Sequence, residues 1–243
     1  MSPSTGPPGA SRFHTTHWSV VLAAGASAAD SPAALEELCA TYWRPVYAFV
    51  RRRGHGTEEA RDLTQGFFAG FLERGAIEGL DPSRGRFRSY LLACLKHFLA
   101  NESERERTLK RGAGAVHLSL SPDDDADLAI DPADSRTPEI DYERQWALAL
   151  LRRAFERLRA EQSAKGRSDV FERLRPTLAG ETIDGGYSGV AEELKLSTVA
   201  VKVAAHRLKK RYRELLLEEI TRTVDLPQEI DHELSHLFRA LGD

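Results

Sequence analysis

The sequence lacks the features that mark several large classes of protein. Among its 243 residues only two are cysteines, Cys39 and Cys94, and they lie far apart within apolar patterns. This excludes a disulfide scaffold and a cysteine-rich zinc site. No apolar run is long enough to span a bilayer, and residues 1–12 have no apolar core of the kind found in a secretory signal. We therefore expect a cytoplasmic protein with no membrane partner.

Signals of catalysis are missing as well. The sequence has no glycine-rich phosphate-binding loop, no nucleophile with a nearby base and no spacing typical of metal ligands. His14 and His17 are close together, but no further ligand is near them, so we interpret both as surface residues. The sequence predicts a protein that is not an enzyme and that binds no cofactor or metal.

Charge is distributed unevenly along the chain. The formal net charge is only −3, yet basic residues concentrate at 84–88, 105–111 and 202–213. Residues 121–143 instead hold nine acids and a single basic residue, Arg136. Non-specific affinity for DNA comes mainly from neutralising phosphates. A near-neutral total therefore argues against strong binding to DNA by this chain alone, and favours a larger partner that brings it there.

Helical periodicity runs through most of the chain, with little β signal and no internal repeat. We predict an all-α fold of two small helical domains joined by an acidic linker, the second domain containing a helix-turn-helix. The linker is rich in proline and acids, so it cannot bury enough surface to offset its ordering entropy. The predicted segments are a disordered N-terminus (1–15), a first domain (16–114), the flexible linker (115–141), a second domain (142–224) and a helical extension (225–243).

Several helix boundaries follow from local signals. Pro45 predicts a break or kink in the helix that Ser31 caps, because proline disfavours helix at the preceding residue. The apolar spacing predicts a long helix over residues 87–107 and another over residues 142–162. In the extension, Ile230, Leu234, Leu237, Phe238 and Leu241 form one apolar stripe.

Residues 187–213 are typical of two helices joined by a tight turn. Leu196 is predicted to fill the corner of the turn, and Ser197 to cap the second helix. The second helix carries an apolar stripe and, between Thr198 and Arg213, six lysines or arginines and no acid. A helix-turn-helix places such a helix in the major groove of DNA. The alternative is a solvated basic helix in an all-helical protein.

Three stretches carry distinctive motifs: ARDLTQGFF (residues 60–68), GRFRSYL (85–91) and AVK (200–202) with HR (206–207). Together they resemble the extracytoplasmic-function group of bacterial RNA polymerase sigma factors. ARDLTQGFF (residues 60–68) is similar to the family's A-x-D-L-x-Q-x-x-F segment, which docks on the polymerase clamp helices. GRFRSYL (85–91) resembles the loop and helix start that melt and read the −10 element. AVK (200–202) with HR (206–207) resembles the helix that reads the −35 element. The resemblance covers roughly residues 18–223.

The resemblance implies a transcription initiation factor that binds core RNA polymerase, recognises −10 and −35 promoter elements and promotes DNA melting. The residues it implies for core polymerase are Asp62, Leu63, Gln65, Phe68 and Glu73. Those for −10 DNA are Arg84, Arg86, Phe87, Arg88, Tyr90, Lys96, Asn101, Arg105, Lys110 and Arg111. Those for −35 DNA are Ser197, Thr198, Val199, Lys202, Val203, His206, Arg207 and Lys210.

The residues themselves fit part of this assignment, and three alternatives stay open. Arginines interleaved with Phe87 and Tyr90 suit unpaired bases, which bind by stacking and phosphate attraction; the alternative for Phe87 is a place in the core. The extension either packs back on the second domain or docks a regulator such as an anti-sigma factor. The second possible function is a stand-alone helix-turn-helix regulator that binds duplex DNA by itself.

Overall fold

The computed structural model describes residues 31–73, 86–109, 136–224 and 227–242. These parts form eight α-helices and two short 3₁₀ segments without a strand, which confirms the predicted all-α class. The helices are α1 (Ser31–Arg52), α2 (Thr57–Glu73), α3 (Phe87–Leu109), α4 (Pro138–Ala164), α5 (Ser168–Leu174), α6 (Gly186–Glu193), α7 (Thr198–Thr221) and α8 (Ile230–Gly242). None of the described helices is long and apolar enough to cross a membrane. The predicted N-terminal segment 1–15 and residues 115–135 of the predicted linker lie outside the described residues.

Pro45 does not interrupt α1. The sequence predicted a break or kink at this proline, yet the helix runs continuously across it. The prediction of a break is wrong because tertiary packing dominates here: Tyr42, Val46 and Phe49, on both sides of the proline, are completely buried. Burying one large apolar side chain contributes about 1.5–3 kcal/mol. Three of them more than offset the roughly 3 kcal/mol that an interior proline costs.

Helices α2 and α3 pack beside α1 through a cluster of aromatic rings. Phe67 of α2 lies within the cluster, with its ring centroid 5.4 Å from that of Phe68 and 5.7 Å from that of Phe98. Phe87, the first residue of α3, meets Tyr42 of α1 edge-on at 5.3 Å. Edge-to-face pairs at such distances add to the energy of apolar burial, so this cluster fixes how the three helices sit together.

Helix α4 begins at Pro138, earlier than the predicted residue 142. The hydroxyl of Thr137 accepts a hydrogen bond from the backbone N–H of Ile140 at 3.3 Å and so caps the helix. Proline is favourable at a first helical position because the N–H it lacks would have no intrahelical partner. The predicted linker therefore extended too far: the cap and the acids of the first turn make residues 138–141 helical.

Helix α4 is the element on which the two halves of the chain pack. It contacts α1 as well as α7 and α8, and Trp146, Leu150 and Leu158 along it are completely buried. Buried apolar residues from both halves of the chain form one continuous cluster. The two predicted domains therefore share a core in this structure, and their division at an acidic linker stays a prediction.

Helices α6 and α7 are joined by a short turn. Lys195 adopts a left-handed conformation with φ of 54°, and the N–H of Leu196 donates to the carbonyl of Ala191 at 2.9 Å. This is the Schellman arrangement that commonly ends helices, usually with glycine in the left-handed position. Ser197 follows, and its Oγ accepts from the N–H of Ala200 at 3.1 Å, which confirms the predicted cap.

Leu196 does not fill the corner of this turn. Its side chain is 42% exposed, so that prediction is wrong. The buried apolar side chains nearest to the turn along the chain are instead Val190 and Ala191 in α6 and Val201 in α7. The Schellman hydrogen bonds satisfy the backbone of the turn, and the leucine side chain is left at the surface.

Helix α8 packs back on α4 and α7, which is the first of the two arrangements considered for the extension. Its buried side chains are Glu233, Leu237 and Ala240. Phe238 was predicted in the same apolar stripe, but it is 60% exposed. Leu237 faces the core, and Phe238, about 100° further around the helix, lies on the solvent side.

Candidate nucleic-acid interface

Helix α7 presents a polar and basic face away from the core. Of the predicted −35 residues, Thr198 is half-buried, and Ser197, Val199, Lys202, Val203, His206, Arg207 and Lys210 are exposed. On the opposite face Val201 and Leu208 are buried against the other helices. Val199 and Val203 are 71% and 42% exposed. Exposed apolar side chains beside basic ones suit the major groove, where thymine methyl groups lie next to phosphates.

One basic residue of α7 is held by carboxylates within the protein. Arg211 lies 2.7 Å from a carboxylate oxygen of Glu161 and 3.1 Å from one of Glu214. Hydrogen bonding to Glu161 is the main reason that the pKa of Arg211 is raised. Lys202 and Arg207 form no ion pair with any residue in the described parts of the chain. Their charge is available to a phosphate, whereas that of Arg211 is neutralised internally.

A buried carboxylate fixes α7 against α4. Glu219 is 1% exposed and accepts hydrogen bonds from Arg153 Nε at 2.8 Å and Arg157 Nη1 at 2.7 Å. Arg153 also reaches the hydroxyl of Thr41 in α1 at 3.0 Å. Because the bonds are charge-assisted and cross between helices, they hold α7 at a fixed rotation. That rotation keeps the basic face of α7 outward.

Helix α2 carries its predicted polymerase residues on different sides. Asp62 is exposed, and Leu63 and Gln65 are half-buried. Phe68 is only 4% exposed, and its ring stacks on Trp43 of α1 with a centroid distance of 5.9 Å. In this structure Phe68 supports α2 from the core side and is not accessible to a partner. Asp62 and Gln65, at i and i+3, stay on the outer side.

Four predicted site residues have side chains outside the described part of the structure: Glu73, Arg84, Lys110 and Arg111. Of the rest on α3, three are exposed on its outer side: Lys96, Asn101 and Arg105. Lys96 Nζ lies 2.7 Å from a carboxylate oxygen of Glu139, and Arg105 lies 2.7 Å from Glu102. Both are pairs at the surface, where an ion pair contributes little and is readily exchanged for another anion.

The start of α3 differs from the prediction. Phe87 is 1% exposed and Arg88 is 2% exposed, while Arg86 and Tyr90 are half-buried. For Phe87 the core position, considered as the alternative, is the one observed. Neither Phe87 nor Arg88 is accessible to DNA in this arrangement, because the aromatic cluster covers one and the chain's own acids surround the other.

Arg88 occupies a compact buried site between α3, α4 and α8. Its Nε lies 2.8 Å from a carboxylate oxygen of Glu143, and its Nη1 pairs with Glu233. Its guanidinium lies 4.2 Å from the ring centroid of Trp146, a cation–π contact. Burial lowers the pKa of Arg88, and the charge of Glu143 acts in the opposite direction. The hydroxyl of Tyr142 donates to the backbone carbonyl of Arg88 at 3.1 Å.

The acids of this site were not predicted from the sequence. Burial raises the pKa of Glu143, but the hydrogen bond with His236 at 2.9 Å and the charge of Arg88 outweigh it, so the pKa is lowered. Glu233 lies on α8, far from Arg88 in the chain. An acid on an amphipathic helix normally indicates a solvated position, so the sequence carried no signal for these partners.

The described residues contain no group of three or more histidines, cysteines, aspartates or glutamates that could hold a metal ion. The exposed basic side chains of α3 and α7 include Lys96, Arg105, Lys202 and Arg207. These bind anions such as phosphates rather than cations. The arrangement therefore fits recognition of a nucleic acid or of an acidic protein surface.

Comparison with known proteins gives one family match. Residues 38–108 match the family model of Sigma-70 region 2. The match covers less than a third of the chain and spans most of α1, all of α2 and nearly all of α3. It supports a sigma-70 family factor. No curated protein and no solved structure matches the chain.

Proposed function

We propose that this chain is a sigma factor of the extracytoplasmic-function group that directs core RNA polymerase to promoters in the cytoplasm. The observation that carries the proposal is the match to Sigma-70 region 2 over residues 38–108. That region contains both the Asp62/Gln65 segment on α2 and the arginine-rich start of α3. A sigma factor would need these two stretches, one for docking on polymerase and the other for contact with opened promoter DNA.

In this proposal α2 docks on core polymerase through its outer side. Asp62 and Gln65 supply a carboxylate and an amide one helical turn apart, a pair able to accept and donate hydrogen bonds across an interface. The buried face of α2, with Phe67 and Phe68, holds the helix rigidly against α1. A partner therefore meets a preformed surface, which lowers the entropic cost of binding.

The second half of the proposal concerns DNA. Helix α7 would lie in the major groove at the −35 element, with Lys202 and Arg207 on phosphates and Val199 and Val203 towards base edges. Exposed Lys96, Asn101 and Arg105 on α3 would contact the −10 element. Because the net charge is −3, polymerase would supply much of the total affinity for DNA. An anti-sigma factor or other regulatory protein stays a predicted partner.

Run-off transcription tests the proposal. Core bacterial polymerase on fragments of the source genome should initiate at new start sites only when the protein is added. An Asp62→Ala/Gln65→Ala variant should lose these transcripts while keeping its helical content, because both side chains lie on the outer side of α2. Absence of new transcripts with the wild-type protein would contradict the proposal.

A stand-alone regulator is the second candidate, and the capped, exposed basic face of α7 is the observation that favours it. Such a protein binds duplex DNA without polymerase, usually as a dimer on two matched half-sites. A gel shift with genomic fragments in the absence of polymerase separates the two candidates. Discrete complexes there, combined with no binding to core polymerase, would favour the stand-alone regulator.

A further inference from the structure

Helix α8 places a buried carboxylate on the arginines at the start of α3. The side chain of Glu233 is completely buried; one oxygen lies 3.0 Å from Arg86 Nε, and the other pairs with Arg88 Nη1. His232, next to Glu233 on α8, is hydrogen-bonded to Arg86. Two arginines of the stretch that carries the predicted −10 contacts are thus engaged by two successive residues of one helix.

Further contacts attach α8 at the same place. His236 Nε2 lies 2.9 Å from the Glu143 carboxylate that also holds Arg88. At the far end of α8, Arg144 of α4 donates to the carbonyl of Leu241 at 3.2 Å. The helix therefore lies along α4 and closes over the arginine pair from one side.

A carboxylate and a phosphate make the same kind of contact with arginine. Both carry negative charge on oxygen atoms that pair with guanidinium groups, and in this structure the two Glu233 oxygens form ion pairs with Arg86 and Arg88. Arg86 is still 26% exposed at its side chain, so an incoming phosphate can reach it before α8 leaves. The side chain of Arg88 is only 2% exposed, so a phosphate can reach it only after α8 has moved.

We propose that α8 is an autoinhibitory element whose Glu233 occupies the place of a phosphate of single-stranded promoter DNA on Arg86 and Arg88. This inference rests on the proposed function, in which the start of α3 meets opened DNA. Displacing α8 exchanges one anion for another on the same two arginines. The factor would then engage the opened strand only when DNA, polymerase or both remove α8.

The packing of α8 suits an element that detaches. It is a helix of 13 residues, and its apolar anchors Leu237 and Ala240 are few. Phe238 is 60% exposed, and Leu234 and Leu241 are only half-buried. A buried ion pair is a weak net stabiliser, because desolvation offsets much of the attraction. The ion pairs of Glu233 therefore occupy Arg86 and Arg88 but add little net stability to the docking of α8.

Three full-length variants test the inference by anisotropy with a fluorescein-labelled single-stranded oligonucleotide of mixed sequence. Glu233→Gln should bind about tenfold more tightly than wild type, because it loses the charge that competes with phosphate. Asp231→Asn is the matched control: it removes one charge from an exposed position of the same helix and should stay within about twofold of wild type. Leu237→Ala loosens α8 without changing charge and should also tighten binding.

Adding Arg86→Gln to Glu233→Gln should abolish the gain, because the freed phosphate site then lacks an arginine. Equal binding by Glu233→Gln and Asp231→Asn would overturn the inference. Hydrogen exchange on the wild-type protein gives a test that requires no variant to fold. The oligonucleotide should speed amide exchange across α8; DNA binding with unchanged exchange there would overturn the inference too.

Binding of wild type to core polymerase is measured in parallel and reports on the proposed function separately. If wild type binds polymerase while Glu233→Gln and Asp231→Asn bind the oligonucleotide alike, only the autoinhibitory role is lost. If Glu233→Gln gains affinity for the oligonucleotide but wild type does not bind polymerase, the proposed function is lost, and α8 remains the inhibitor of a DNA-binding site.

Discussion

Removal of the charge on Glu219 tests how α7 is held in place. The side chain of Glu219 is 1% exposed, and its carboxylate accepts hydrogen bonds from Arg153 and Arg157. Glu219→Gln keeps the size of this side chain but replaces the carboxylate by a neutral amide. Its neighbour Glu218, 46% exposed, also pairs with Arg157, at 2.5 Å. Glu218→Gln is therefore a matched control that removes the same charge one residue away.

The expected loss follows from the burial of the partners. Breaking a fully buried ion pair costs about 3–5 kcal/mol, because the remaining charge has no water. Arg153 and Arg157 are 21% and 37% exposed, so water can solvate them partly once Glu219 is neutral. We therefore expect Glu219→Gln to lower the free energy of unfolding by about 2–3 kcal/mol. Glu218→Gln should cost less than about 1 kcal/mol.

Urea denaturation and thermal melts, both followed by circular dichroism, measure the stability of the two variants. In a chain of this size about 1 kcal/mol shifts the melting temperature by roughly 2–4 °C, so Glu219→Gln should melt roughly 4–12 °C lower. The free energy of unfolding should fall with urea concentration at the same slope as in wild type, because the surface exposed on unfolding does not change. Equal losses in the two variants, or a negligible loss in Glu219→Gln, would refute the role given to the buried carboxylate.

Three further predictions concern the turn, the DNA face and pH. Lys195→Gly should stabilise the protein by about 0.5–1 kcal/mol in thermal melts, because φ is 54° there; destabilisation would contradict this. Arg207→Ala should reduce the salt dependence of duplex binding by about one unit of slope. Arg211 is already paired with Glu161, so Arg211→Ala should leave this slope unchanged. The pKa of Glu161 is lowered mainly by hydrogen bonding from Arg211, and that of Glu143 is lowered by His236 and Arg88 against the effect of burial. Their stabilising contribution is present above the ordinary pKa of 4.5 and is lost as pH falls through the lower folded values; stability that stays level on acidification would contradict this.

Features set by neighbouring residues were predictable from the sequence. The cap at Ser197, the start of α3 at Phe87 and the buried stripe of α7 all depend on side chains within one or two turns. Capping and helical periodicity are local properties, so the order of residues contains them. The start of α4 is also encoded locally, by the Thr137 cap and by Pro138 at the first helical position, although the proline-rich composition of residues 122–138 favours a linker there.

Features set by distant residues were not predictable. Pro45 stays within a continuous helix because of burial that only the packed fold provides. Arg88 was expected at the surface, since arginine is rarely buried without partners. Its partners Glu143 and Glu233 come from two other helices. A single sequence shows that acids exist but not that two of them converge on one arginine.

The most direct test of the central claim is the affinity of the protein for core RNA polymerase. Fluorescently labelled protein is titrated with purified bacterial core enzyme, and the same titration is made with Asp62→Ala/Gln65→Ala and with Glu58→Ala. Glu58 is 84% exposed in the first turn of the same helix and serves as the control. The proposed function predicts saturable binding by wild type and by Glu58→Ala, and binding weakened by at least about tenfold in the double variant. No binding by the wild-type protein, or equal binding by all three, would contradict docking through α2.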